Sequence, residues 1–238
     1  MSRLAARIEA QLRTLGTPER AEQEKRYLKS ELEHYGATVW AVRRAVKDAI
    51  AGAPGLDRRQ LFAAVDALWA RPVHECRAAA VEVLAHRVDL LEPGDLDLVE
   101  RLLRECRTWA LVDGLAPSVA GPLIERHPQL AATLDRWATD DDFWLRRSAL
   151  LALLLPLKRG DGDFERFGRY ADAMLAEREF FIRKAIGWVL RETSKKRPEV
   201  VYDWIRPRAA RASGVTTREA VKYLSEEQRA DVLSRRAG

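Results

Sequence analysis

Three short segments of the chain repeat one pattern. Arg77-Ala-Ala-Ala-Val81, Arg147-Ser-Ala-Leu-Leu151 and Lys184-Ala-Ile-Gly-Trp188 each place a basic residue before small residues and then apolar ones. The first two start 70 residues apart and the last two 37. Taking 70 as two units gives a period of about 35–37 residues, the length of a helix-pair repeat. One such pair cannot bury its apolar face alone. Pairs must stack, and stacking them gives a curved array whose inner helices line one long groove.

The remaining local signals agree with helices. Apolar residues recur at three and four, as in Leu61, Val65, Leu68 and Trp69, in Val81, Leu84, Ala85 and Val88, and in Leu145, Leu150, Leu153 and Leu154. Alternating apolar and polar runs are nearly absent. Asp113-Gly114, the pair that resembles a hairpin turn, sits inside a helical pattern. Thr17-Pro18-Glu19 reads as an N-cap, a first-position proline and a first-turn acid, and Pro72, Pro128 and Pro198 sit at similar starts. The reading is about a dozen helices joined by short loops at residues 52–55, 92–94, 139–142 and 158–162. The expected fold is all-α, a single domain over residues 1–238.

Composition limits the function classes. The longest apolar run, Ala149 to Leu157, contains Pro156 and is far too short to span a bilayer. The first residues are amphipathic and carry an acid, unlike a secretory signal, so the cytoplasm is the expected compartment. Cys76 and Cys106 read as reduced, buried thiols, and the four histidines have no spacing suited to a zinc site. No metal or cofactor is expected, and nothing points to a membrane partner. The net charge of +5 is uneven: residues 1–100 hold 15 Lys/Arg against 16 Asp/Glu, whereas 101–238 hold 26 against 20.

The basic surplus is densest at 178–222, with 12 Lys/Arg against 5 Asp/Glu, and one helix stands out there. Read at 100° per residue, Lys184, Trp188, Arg191 and Lys195 fall within about 60° of one another. A tryptophan among three cations suits a surface that meets an anion with a flat or apolar part, such as nucleic acid. Trp109 and Asp113 are one helical turn apart, and Arg147 follows about one repeat later. Spacing alone leaves other roles open. Trp109 and Trp188 could be core residues, as Trp40, Trp69, Trp137, Trp144 and Trp204 are expected to be. Asp113 and Arg147 could form a structural ion pair, and the basic stripe could be a solvated face.

The motifs are similar to those of the DNA alkylation repair family of HEAT-like-repeat glycosylases, the AlkD type. Phe180-Phe-Ile-Arg-Lys-Ala-Ile-Gly-Trp-Val-Leu-Arg-Glu192, with Lys195 and Pro198 beyond it, resembles that family's most recognisable segment. Phe143-Trp-Leu-Arg-Arg-Ser-Ala-Leu150 resembles its arginine-bearing helix, the Trp109 and Asp113 spacing its tryptophan/aspartate helix, and Thr217-Arg-Glu-Ala-Val-Lys222 its C-terminal box. Segments near Pro18, Arg26-Tyr27 and Gly36, and Leu68-Trp-Ala-Arg-Pro72 before Glu75, resemble its first repeats. The resemblance covers nearly the whole chain. The chain departs from the pattern at Thr108, where the family often has an aromatic, and at Ala110, where it often has an acid.

The resemblance implies a superhelical array of HEAT-like antiparallel helix pairs with a concave basic groove. It implies a monomeric DNA glycosylase that excises cationic N3- and N7-alkylated purines from double-stranded DNA without drawing the base into a pocket. Asp113 would be the catalytic carboxylate, Trp109 and Trp188 would contact the lesion's deoxyribose, and Arg147 would support the site beside the DNA backbone. Tyr27, Lys184, Arg191, Lys195 and Arg218 are the implied DNA contacts. The alternatives are a non-catalytic repeat protein that binds unusual DNA structures and, further off, a protein–protein scaffold.

Overall fold

The computed structural model of the chain describes residues 2–237. Among them the fold is all-α: sixteen α-helical segments, short 3₁₀ turns, and one isolated parallel bridge between Glu33 and Val73 in place of any strand. The chain divides into two compact units, Met1–Leu115 and Ala116–Gly238.

The first unit contains α1 (Arg3–Leu15), α2 (Pro18–Leu28), α3 (Val39–Ala51), α4 (Arg58–Trp69), α5 (His74–His86), α6 (Leu96–Cys106) and α7 (Trp109–Leu115). Four of its helices start where the sequence supplies an acceptor. The side chains of Ser2, Thr17, Thr38 and Asp57 each accept from a first-turn backbone N–H, and Asp57 completes a capping box with Gln60. Such caps contribute about 1 kcal/mol each. Pro18 is the first residue of α2, as expected. Pro72 does not start a helix: its carbonyl accepts from the Glu33 N–H at 2.8 Å, and α5 begins two residues later. In the core α5 packs on α3, α4 and α7, and α1 on α3 and α4.

A single carboxylate organises the loop between α2 and α3. Glu75, 1% exposed, accepts from the backbone N–H groups of Tyr35 at 3.0 Å, Gly36 at 2.6 Å and Ala37 at 3.1 Å. Gly36 is required there. Its φ is +80°, and a Cβ would meet the Thr17 carbonyl oxygen at 2.2 Å. Beside Glu75 the rings of His34 and His74 stack with centroids 4.8 Å apart and planes 7° apart. Both nitrogens of His34 and Nδ1 of His74 lie buried without a hydrogen-bond partner. Burial, helped by the neighbouring His34, pushes His74 down from 6.5 to about 4 against the opposing pull of Glu75, and burial lowers His34 as well.

The unfolded chain protonates this imidazole near 6.5, whereas the folded chain resists protonation until about 4. Stability is therefore full above about pH 6.5 and falls as the pH drops through that window, by about 3 kcal/mol for His74. Urea unfolding at pH 7.5 and pH 4.5 should show a clearly lower midpoint in acid that His74→Phe reduces. An acid loss that the variant leaves untouched would exclude the histidine pair as its source.

The second unit opens on a π-helical turn, Ala116–Ala120, which contains Pro117. It continues through α8 (Gly121–Arg126), α9 (Ala131–Trp137), α10 (Phe143–Leu151), α11 (Leu154–Arg159), α12 (Phe164–Met174), α13 (Phe180–Ser194), α14 (Pro198–Ile205), α15 (Gly214–Ala220) and α16 (Glu226–Ala237). The longest of these, α13, is central and packs against α10, α11, α14 and α15. Gly187 makes the closest of these approaches possible, because a Cβ there would meet Glu219 Cβ at 2.9 Å and Thr216 Cα at 3.2 Å.

Several side-chain hydrogen bonds within each unit span 35–37 residues. In the first unit Arg58 reaches Asp95 (37 residues) and Trp69 reaches Glu105 (36). In the second, Tyr170 reaches Asp135 (35), Lys184 reaches Glu219 (35) and Arg208 reaches Asp172 (36). This is the period read from the sequence, expressed as contacts between helices one repeat apart.

Tryptophan burial mostly follows the sequence reading. Trp69, Trp137, Trp144 and Trp204 are buried. Trp40 is not a core residue: it is 77% exposed. The inward face of α3 is set by Val42, Ala45, Val46 and Ala49, and position 40 lies about 160° around the helix from position 42. Cys76 and Cys106 are buried and not joined in a disulfide. Burial pushes the Cys76 thiol up to about 12.

Candidate functional site

Helix α7 carries two of the residues singled out above. Trp109 is its first residue and Asp113 lies one turn on, both half-buried. Thr108 explains how the helix starts. It is buried, its hydroxyl accepts from the Ala110 N–H at 3.4 Å, and its carbonyl accepts from the Val112 N–H at 3.3 Å. A capping threonine thus occupies the place where the resembled family often has an aromatic residue. Tyr27, in the last turn of α2, is 73% exposed and meets the Trp109 ring edge-on, with centroids 5.9 Å apart and planes at 86°. Tyr27, Trp109 and Asp113 therefore belong to one unit, with the two rings in contact.

The second unit holds the other residues. Arg147, on α10, is 2% exposed. Its Nη1 donates to the Phe181 carbonyl in the first turn of α13, and its guanidinium lies 5.9 Å from the Phe181 ring centroid. It ties α10 to the start of α13 from within the protein. The adjacent Arg146 pairs with Glu177 at 2.9 Å and donates to the Asp140 carbonyl at 2.6 Å.

α13 runs as the stripe reading requires, with the Glu179 side chain capping the Phe181 N–H at 3.1 Å. Its inward face is Ile182, Ala185, Ile186, Val189 and Leu190, and Trp188 is half-buried rather than part of the core. The three cations on the stripe have carboxylate partners. Lys184 Nζ donates to Glu219 at 2.6 Å, and Arg191 donates to the same carboxylate and, at 3.2 Å, to Glu192. Lys195 Nζ donates to both oxygens of Glu192 at 2.9 and 2.8 Å and lies 5.2 Å from the Tyr223 ring centroid. Burial works to raise both carboxylates, but the hydrogen bonds from these cations outweigh it and hold Glu219 and Glu192 below the usual range. An incoming phosphate on this stripe has to share cations already engaged. Arg218, next to Glu219 on α15, is exposed.

Glu219 and Glu192 stand within the quoted motifs, but spacing gave them no role, although a signal existed: Glu219 lies 35 residues beyond Lys184. A second group, Glu24, His34 and Glu75, brings possible metal-ligating atoms within 4.8 Å of one another. Glu75 already takes three backbone N–H groups there and Glu24 accepts from Arg20, so hydrogen bonds account for both carboxylates.

The sequence profile of DNA alkylation repair enzymes matches residues 8–224. The chain belongs to the DNA alkylation repair enzyme family. A solved structure described as a predicted DNA alkylation repair enzyme from Enterococcus faecalis shares the fold of this family member, with a TM-score of 0.78 at 22% identity over 89% of this chain and 97% of that one. A crystal structure of the protein smu.31 from Streptococcus mutans UA159 aligns with a TM-score of 0.58 at 17% identity over 79% and 99% of the two chains. No curated protein matches the chain. Among the described residues, no helix of this DNA alkylation repair family member is long and apolar enough to cross a membrane.

Proposed function

We propose that the chain is a DNA glycosylase that hydrolyses the N-glycosidic bond of cationic N3- and N7-alkylated purines in duplex DNA. The observation that carries this reading is the Trp109 and Asp113 pair, one turn apart on a short helix with Tyr27 edge-on to the indole, in a chain of the DNA alkylation repair family. The proposal includes the architecture the resemblance implies: one HEAT-like-repeat domain over 1–238, a superhelical array with a concave basic groove, acting as a monomer in the cytoplasm.

The chemistry suits these residue types. Alkylation at N3 or N7 makes the purine cationic, so it leaves as a neutral base with little need of a general acid. The deoxyribose then gains oxocarbenium character, and an ionised carboxylate fixed beside it stabilises the developing charge. Asp113 supplies that carboxylate and orients the attacking water. The electron-rich faces of Trp109 and Trp188 attract the electron-poor sugar and the cationic nucleotide. Arg147, buried and tied to the Phe181 carbonyl, acts as a positioning residue that fixes the start of the Trp188 helix. No enclosing base pocket is part of this reading, which separates it from enzymes that flip the base out.

The test is release of free base. Incubated with methylated duplex DNA, the protein should liberate 7-methylguanine and 3-methyladenine. Binding without release would replace this reading with that of a non-catalytic DNA-binding relative. Trp188→Ala sharpens the test. Excision should fall about tenfold or more, while the loss of a half-buried ring lowers the Tm by only a few degrees. A variant that simply unfolds would return Trp188 to the core.

A further inference from the structure

Among the described residues, two non-glycine residues adopt the left-handed backbone region, Lys29 at φ 50° and Arg107 at φ 46°. Both end helices: Lys29 is the C-cap of α2 and Arg107 the C-cap of α6. Glycine is the residue that fits this position without steric conflict. The chain places a long cation at each, and both line the same cleft of about 540 Å³. Non-glycine residues held in the left-handed region concentrate at binding and catalytic sites.

The cleft gathers charge that its surroundings do not. Met1–Leu115 carries 18 Lys/Arg and 18 Asp/Glu, a net of zero. Four cations, Lys29, Arg77, Arg104 and Arg107, line this one cleft against Glu31 and Glu105. Glu105 faces other partners, accepting from Trp69 Nε1 at 2.5 Å and from Arg101 at 3.5 Å. Arg77 is braced, with its guanidinium 5.2 Å from the Trp69 ring centroid and Nη1 donating to the Glu105 carbonyl at 3.3 Å, while its Nε is buried without a partner. The position matters as well. Lys29 follows Tyr27 by two residues, Arg107 precedes Trp109 by two, and those two rings touch.

We infer that the cleft between Lys29 and Arg107 seats a phosphodiester of the DNA backbone beside the Tyr27 and Trp109 pair. This rests on the DNA reading above and adds a binding site to it. The cleft would supply a phosphate contact on the Asp113 side of the chain through Lys29 and Arg107; Arg104 is engaged by Glu100 at 2.9 Å, as the cations of α13 are by Glu219 and Glu192.

The test exploits the backbone geometry. The double variant Lys29→Gly/Arg107→Gly removes both charges and also relieves both left-handed residues. It should melt at or above the parent temperature and yet bind an undamaged 16-base-pair duplex about tenfold more weakly at low salt. The slope of log K against log salt should fall by about 2, one for each lost phosphate contact. A variant with the parent's affinity and slope overturns the site and leaves the proposed function standing. A parent that fails to bind duplex overturns both. Calorimetry with inorganic phosphate distinguishes the ligand source: a phosphate signal lost in the variant, with duplex binding unchanged, would make this a free-anion site and overturn the backbone assignment. Should the glycines lower the melting temperature, Lys29→Gln/Arg107→Gln repeats the measurement with the side-chain bulk largely kept.

Discussion

Asp113→Asn is expected to lower the excision rate of methylated purines by about 10²–10³-fold while the protein folds and binds duplex DNA. Removing one preorganised group that stabilises transition-state charge has effects of this size. Asparagine keeps the shape and a carbonyl oxygen, so the change isolates the negative charge. Asp113 sits in the second turn of a seven-residue helix whose start is fixed by Thr108, and the substitution leaves that cap alone. The measurement is single-turnover release of 7-methylguanine, with the melting temperature and duplex affinity taken on the same preparation. Release at the parent rate would remove Asp113 from the chemistry. Loss of release together with loss of folding would make it a structural residue.

The second large effect is on stability. Glu75→Ala leaves three backbone N–H groups of the Tyr35–Ala37 loop without their acceptor in a buried setting. Breaking a buried charged group's hydrogen bonds in this way costs about 3–5 kcal/mol. For a chain of this length that corresponds to a fall in melting temperature of about 10 °C. Glu75→Gln should recover part of the loss, because its amide carbonyl still accepts although its other side donates. A drop of less than about 1 kcal/mol for the alanine variant would mean that water or a rearranged loop replaces the carboxylate.

Local signals suffice where a few neighbouring residues decide the structure. Thr17-Pro18 fixes the start of α2, and the stripe of α13 follows from its periodicity, because both are local properties of a few neighbouring residues. The repeat period is also legible and returns as hydrogen bonds spanning about one repeat. Trp40 misleads because hydrophobicity argues for burial while its helical phase argues against it, and phase decides. The stacked pair of His34 and His74 joins residues 40 apart through a loop, and no spacing rule announces it.

The candidate site divides in the same way. Residue types and spacing bring out Trp109, Asp113, Arg147 and Trp188. What they do not convey is engagement. Arg147 lies inside, tied to a backbone carbonyl, and the basic stripe is matched carboxylate by carboxylate. Charge counting along a chain records cations and cannot say which of them a distant helix has already paired. Lys29 and Arg107 were hidden for another reason: a left-handed residue is visible in sequence only when it is glycine.

The buried cysteines carry a consequence for where such a protein can operate. A cell whose DNA is being methylated holds electrophiles that also attack protein sulfur, and the attacking species is the thiolate. With burial pushing the Cys76 thiol up to about 12, its thiolate is scarce at neutral pH. Packing leaves no part of Cys76 exposed to such a reagent. The same close packing that stabilises α5 thus keeps this potential nucleophile from being consumed by the agents that damage DNA.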